Sequence, residues 1–153
     1  MKPWNPNIRV QREAFDVGEE TRSQTEGRAD IGATVAFTGL CRDEGGALAL
    51  LELEHYPGMA EAEIGRIATQ ASERWPLLGL TIIHRHGRIR PGEPIVLVLA
   101  AAAHRQAAFE AASFLMDYLK TRAPFWKKEH RTDGSEGDWV APKEQDNAAA
   151  GRW

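Results

Sequence analysis

Apolar residues along the chain follow two rhythms. From Leu48 to Glu54 they alternate, with Leu51 and Leu53 on one side and Glu52 and Glu54 on the other, which is the pattern of a half-buried strand. Ala33 to Gly39 is a looser strand built on Val35 and Phe37, and Ile8 to Gln11 a short first one. Leu80 to Ile89 and Pro94 to Ala102 read as two further strands joined by the turn Arg90-Pro91-Gly92-Glu93. Ile95 to Leu99 is apolar on both faces, so this strand is expected to be central. Between the strands the period changes to that of a helix. Ile64, Ile67, Ala68, Ala71 and Trp75 make one face of a helix over Ala60 to Trp75. Ala108, Ala112, Leu115 and Leu119, flanked by Phe109 and Met116, make the broad stripe of a second, over Arg105 to Arg122. Pro124 ends it, because the residue before proline avoids the helical region. A short early helix follows Asp16 as its N-cap. After Pro124, Phe125 to Glu129, a polar loop over Thr132 to Gly137 and Trp139-Val140 predict an antiparallel hairpin, and Glu144 to Trp153 a short helical tail. Helices mixed with hairpin-connected strands imply an α+β fold, and 153 residues make a single domain over 1–153.

Composition narrows the function. Hydrophobic content of 42% and charged content of 27% are those of a globular chain. The one cysteine, Cys41, rules out an internal disulfide and a four-cysteine zinc site, and suits a reducing cytoplasm. No apolar run approaches the roughly 18 residues needed to span a bilayer, and Met1 to Pro6 lacks the apolar stretch of a signal peptide. A net charge of −3 gives no general attraction to nucleic acid or anionic lipid. A soluble, cytoplasmic protein is expected.

Four groups of residues could carry chemistry. At Ala103-His104-Arg105 a helix starts without a capping side chain and with a cation at the positive end of its dipole, unfavourable by roughly 0.3–1 kcal/mol. A bound anion would accept the free N–H groups and neutralise Arg105; the plainer reading is a frayed, solvated helix start. Lys120 to Arg131 holds five cations and one anion in an acidic chain. Lys120, one turn after Met116, would sit at the edge of the apolar stripe, partly desolvated and so usable as base or nucleophile, with Phe125 and Trp126 as apolar neighbours. The alternatives are a solvated basic face, or stacking of bases on interleaved aromatics. In Cys41-Arg42-Asp43-Glu44, Arg42 could clamp a phosphate or carboxylate, while Cys41 reads as a small hydrophobe. His84 and His86 share a strand face, but no third ligand makes them a metal site.

Several segments together resemble the MoaE family, the catalytic subunits of molybdopterin synthase. They are Phe37-Thr38-Gly39 with Arg42-Asp43; Leu53-Glu54-His55-Tyr56-Pro57-Gly58-Met59; Ile83-His84-Arg85 with Gly87 and Pro91-Gly92-Glu93; Ala103-His104-Arg105 with Phe109; Met116 to Glu129; Trp139-Val140; and Arg152-Trp153. The stretch from Asp117 to Lys127 is the most specific. The resemblance implies an α/β hammerhead-type core with an added antiparallel β subdomain. It implies a sulfurtransferase, without cofactor or metal, that converts cyclic pyranopterin monophosphate into molybdopterin. Two sulfurs would come from the C-terminal Gly-Gly thiocarboxylate of a small ubiquitin-like partner. It makes Lys120 and Lys127 the catalytic pair, and carries substrate binding to Leu40, Cys41, Arg42, His104, Arg105, Lys120, Lys127, Lys128 and Glu129. It also implies a homodimer within a heterotetramer, with Lys143 at a possible cross-dimer contact, where lysine keeps the charge but lacks the arginine fork. A non-catalytic module that holds a partner's acidic C-terminal tail is the alternative from a different class.

Overall fold

The computed structural model describes residues 5–122 and 124–140. The elements in chain order are β1 (Asn7–Gln11), α1 (Val17–Thr25), β2 (Ala33–Leu40), β3 (Leu48–His55), α2 (Met59–Arg74), β4 (Leu77–Arg85), β5 (Gly87–Ile89), β6 (Pro94–Ala102), α3 (Arg105–Arg122) and β7 (Phe125–Arg131). Among the described residues no helix is long and apolar enough to cross a membrane. The expected tail helix and Lys143 lie outside the described residues.

Two sheets divide the strands. The first has the order β1-β4-β6-β2, with β1 parallel to β4 and the other pairs antiparallel. As its doubly apolar sequence predicts, β6 lies inside this sheet, and both its faces are covered. Val96, Val98 and Ala100 face the core under α2 and α3, with Ile64, Ile67, Phe114 and Leu115. Leu97 and Leu99 face the other way with Ile83, against Phe15 and Val17 beside α1. Asp16 caps α1 by accepting from the Glu19 N–H at 2.9 Å, and the Glu61 carboxylate accepts from the Gly58 N–H at 2.6 Å ahead of α2. The second sheet, β5-β3-β7, is wholly antiparallel. Beyond β7 the chain folds back, and Lys127 and Val140 exchange backbone hydrogen bonds of 3.0 and 2.7 Å, closing the expected hairpin.

Two expectations need correction. The strand expected over Leu80 to Ile89 is two strands in two different sheets. The chain turns at His86, whose N–H bonds the Gln11 carbonyl, and at Gly87, whose φ of +88° is open to glycine at little cost. Buried Arg85 pins this corner, donating to the carbonyls of Arg12 (2.8 Å) and Pro94 (3.0 Å). Phe109 is not part of the buried stripe of α3. It is 61% exposed, on the flank of the apolar arc in the first turns, whereas Phe114 and Ala111, further along, are fully buried.

Candidate active site

The two sheets and the C-terminal half of α3 enclose a cavity of about 670 Å³, within the usual range of small-molecule sites. Three segments far apart in sequence bring most of its polar lining together with apolar neighbours. The end of β2 and the loop after it supply Leu40, Cys41 and Arg42; α3 supplies Met116, Leu119 and Lys120; β7 supplies Phe125, Lys127, Glu129 and Arg131. Gly39 belongs to the wall because β2 runs tight against β6: a Cβ there would meet Val96 Cγ1 at 2.8 Å.

Strand alternation decides which β7 residues reach the cavity. Opposite β3, Leu53 pairs with Lys127 and Leu51 with Glu129, and all four line it. Lys128 therefore falls on the other face. Lys128 does not line this cavity of the single chain; its Nζ ion-pairs with Glu136 at 3.0 Å and lies 5.6 Å from the Trp139 ring. On the same face His130 holds Glu52 at 2.8 Å and Glu136 at 3.4 Å. Trp126 also falls outside the cavity, so of the two expected aromatic neighbours of Lys120 only Phe125 is present there.

Lys120 is exposed in the single chain rather than partly desolvated, because its position on α3 is turned from the core toward the cavity mouth. Arg42 is exposed too, and ion-pairs with Glu44 at the rim. Cys41 is 3% exposed and packs with Leu53 and Ile89. Burial, followed by the charges of Glu93, Asp43 and Glu129, pushes its thiol pKa up, which keeps it protonated and unsuited to nucleophilic sulfur chemistry. His104 and Arg105 stand apart. They are exposed at the other end of α3 and do not line the cavity; fifteen residues at 1.5 Å each put Arg105 about 22 Å from Lys120 along the helix. One chain thus does not bring the expected anion site to the expected lysine pair.

Polar lining residues outside the set expected at the site include Arg131 and His84. Arg131 continues the Lys127 and Glu129 row, a signal already present in the alternation of the strand. His84 is the other. Its ring stacks on Phe125 at 3.7 Å and 10°, and its Nδ1 lies 2.8 Å from the Arg85 carbonyl. A carbonyl only accepts, so Nδ1 carries the proton and Nε2 the lone pair. Burial, assisted by neighbouring His55 and His86, lowers the His84 pKa to about 4. The unfolded chain binds that proton near 6.5. Stability from the neutral ring is therefore complete above about pH 6.5 and falls away toward pH 4, by on the order of 3 kcal/mol. Melting temperature across this window should drop steeply for the wild type and less for His84→Gln. Parallel curves for the two would show that His84 is not the titrating group.

The MoaE protein family model matches residues 10–122 of this chain. The chain belongs to the MoaE family. It is 75% identical over 148 residues to the molybdopterin synthase catalytic subunit of Mesorhizobium japonicum, with 97% of this chain and 93% of that one aligned. A solved molybdopterin biosynthesis MoaE protein from Burkholderia ambifaria superposes with a TM-score of 0.84 at 45% identity, covering 97% of this chain and 98% of that one. A molybdopterin synthase structure from Staphylococcus aureus gives a TM-score of 0.77 at 30% identity, covering 86% and 95%. The expected α+β fold is the one observed, with two sheets and three helices among the described residues, and the structures it superposes on are MoaE proteins.

Proposed function

We propose that this chain is the catalytic subunit of a molybdopterin synthase, and that the cavity between α3 and β7 is where sulfur is transferred. The observation that carries this reading is that Lys120 and Lys127, on different elements, line one cavity. A small ubiquitin-like partner inserts its C-terminal thiocarboxylate there. The thiocarboxylate sulfur replaces an oxygen on a side-chain carbon of cyclic pyranopterin monophosphate, that oxygen leaving as water or on the phosphate as its ring opens. Water then cleaves the resulting thioester, leaving the sulfur on the pterin and a carboxylate on the partner, and a second round with a second thiocarboxylate completes the dithiolene. Lys127 supplies a fixed positive charge to the oxyanion that develops at the partner's carbonyl. Lys120 removes a proton from the water that attacks the partner's carbonyl carbon, or takes up that carbon itself as sulfur leaves and passes it to water, so that the partner departs as a carboxylate. Leu40, Arg42 and Glu129 line the same cavity and bound the pterin. A tail-holding module without catalysis is not favoured, because the relatives are named as catalytic subunits. Incubation with thiocarboxylated partner and the pterin should yield dithiolene product by mass spectrometry. Binding of the partner without any product would support the module instead.

The distance along α3 gives His104 and Arg105 one route to a substrate: from a second copy of the chain. Half-buried and exposed aromatics such as Phe109 and Trp139 leave apolar surface for such a homodimer. The test mixes two inactive variants, Lys127→Ala and His104→Ala/Arg105→Ala. In randomly mixed dimers about a quarter of the sites combine an intact Lys127 with an intact His104 and Arg105, so about a quarter of wild-type activity should return. No recovery would place these residues outside the reaction in trans.

A further inference from the structure

Leu80, Ile82 and His84 take alternate positions along β4, so the apolar row that packs under α2 and α3 ends on an imidazole. His84 stands opposite Val96, which lies on the same face. Its ring lies against the Phe125 ring, 3.7 Å between centroids and 10° from parallel. His55, paired with Phe125 across β3, stacks on it at 5.7 Å and 28°. His84 belongs to the first sheet, Phe125 and His55 to the second, so this stack joins the two sheets at one corner of the cavity. The imidazole is not free to turn. Its Nδ1–H donates to the Arg85 carbonyl at 2.8 Å, and the Arg85 guanidinium is itself held by the carbonyls of Arg12 and Pro94.

Phe125 is the first residue of β7, three positions after α3 ends at Arg122 and two before Lys127, on the same side of the strand. It is 8% exposed and belongs to the main core. Between Lys120 and Lys127 it is therefore the point where the chain reattaches to the core, as Leu119 is on the α3 side. We propose that His84 is a positioning residue for sulfur transfer: its ring, aimed by the Nδ1–H bond, seats Phe125 and so sets the place of Lys127 relative to Lys120. The inference rests on the reading that the two lysines act together in this cavity. His84 acts through Phe125 and not on the substrate. Displacing a reacting group by about 1 Å can cost about a hundredfold in rate. Binding, spread over the whole cavity wall, changes little.

Two replacements separate the ring from the hydrogen bond. His84→Phe keeps a ring to stack on Phe125 and loses the N–H; His84→Asn keeps an N–H near the place of Nδ1 and loses the ring. Dithiolene formation is measured with thiocarboxylated partner and cyclic pyranopterin monophosphate, well below the melting transition of each variant and per folded molecule. For His84→Asn, kcat should fall about tenfold or more, with KM for the pterin and Kd for the partner within about twofold of wild type. His84→Phe should retain about half of the wild-type kcat or more. Phe125→Leu removes the same stack from the other side; it should match the kcat loss of His84→Asn, and the double variant should lose no more. Should His84→Asn fail to fold, His84→Phe and Phe125→Leu still decide. A His84→Phe chain as slow as Phe125→Leu would mean that an imidazole nitrogen acts directly, and would overturn the inference. So would a wild-type kcat in folded His84→Asn, or losses that simply multiply in the double variant. These outcomes leave the reading of the lysine pair standing, whereas a wild-type chain that forms no dithiolene would remove that reading and this inference with it.

Discussion

Replacing Lys127 with alanine should leave a folded chain that transfers almost no sulfur. The backbone at this position is held by its own hydrogen bonds with Val140 and by pairing with Leu53 across β3, and alanine keeps both. What disappears is a positive charge in a cavity wall formed partly by apolar side chains, where it counts for more than in water. Removing a well-placed donor to a developing oxyanion costs on the order of 3 kcal/mol, or about a hundredfold or more in rate. The partner should still bind, because the apolar floor and the other cations remain. A folded Lys127→Ala variant with near-normal product formation would remove this residue from the mechanism.

Lys120→Arg should be about as inactive as Lys120→Ala, at least about a hundredfold below wild type, while retaining partner affinity. Arginine keeps the charge but never offers a free lone pair, so the pair of variants separates charge from chemistry. In the isolated chain Lys120 is exposed. On the proposed reading, tail and pterin filling the cavity would exclude water from it, so its chemistry would be gated by the substrates themselves. Substantial turnover by Lys120→Arg would reassign it from nucleophile or base to electrostatic positioning.

What the sequence disclosed depended on how local the signal was. The bounds of α3 follow from a helical stripe with Pro124 beyond its end, and the Asp16 cap from a single side chain. The central place of β6 follows from its two apolar faces. The corner at His86 was hidden because apolar residues continue on both sides of it, and the change of sheet depends on the positive φ of Gly87 and the buried guanidinium of Arg85. The basic run after Pro124 was legible as a cluster but not as a geometry. The period of a strand divides the run, sending Lys128 and His130 to one face and Lys127, Glu129 and Arg131 to the other. His104 and Arg105 were correctly placed at the start of α3, yet a helix of 18 residues carries that end far from Lys120. In sequence His84 reads only as half of an incomplete metal pair, and its place at the cavity depends on stacking with Phe125, 41 positions later in the chain.

The central claim is that sulfur passes from the partner's thiocarboxylate to the pterin in this cavity. Its most direct test is a single turnover with partner carrying heavy-isotope sulfur in the thiocarboxylate, followed by mass spectrometry of the pterin product. The wild-type chain should give product containing two heavy sulfurs, with the partner returned as a carboxylate, and Lys127→Ala should give neither. Dithiolene without the label, or labelled product formed equally by the Lys127→Ala chain, would contradict it.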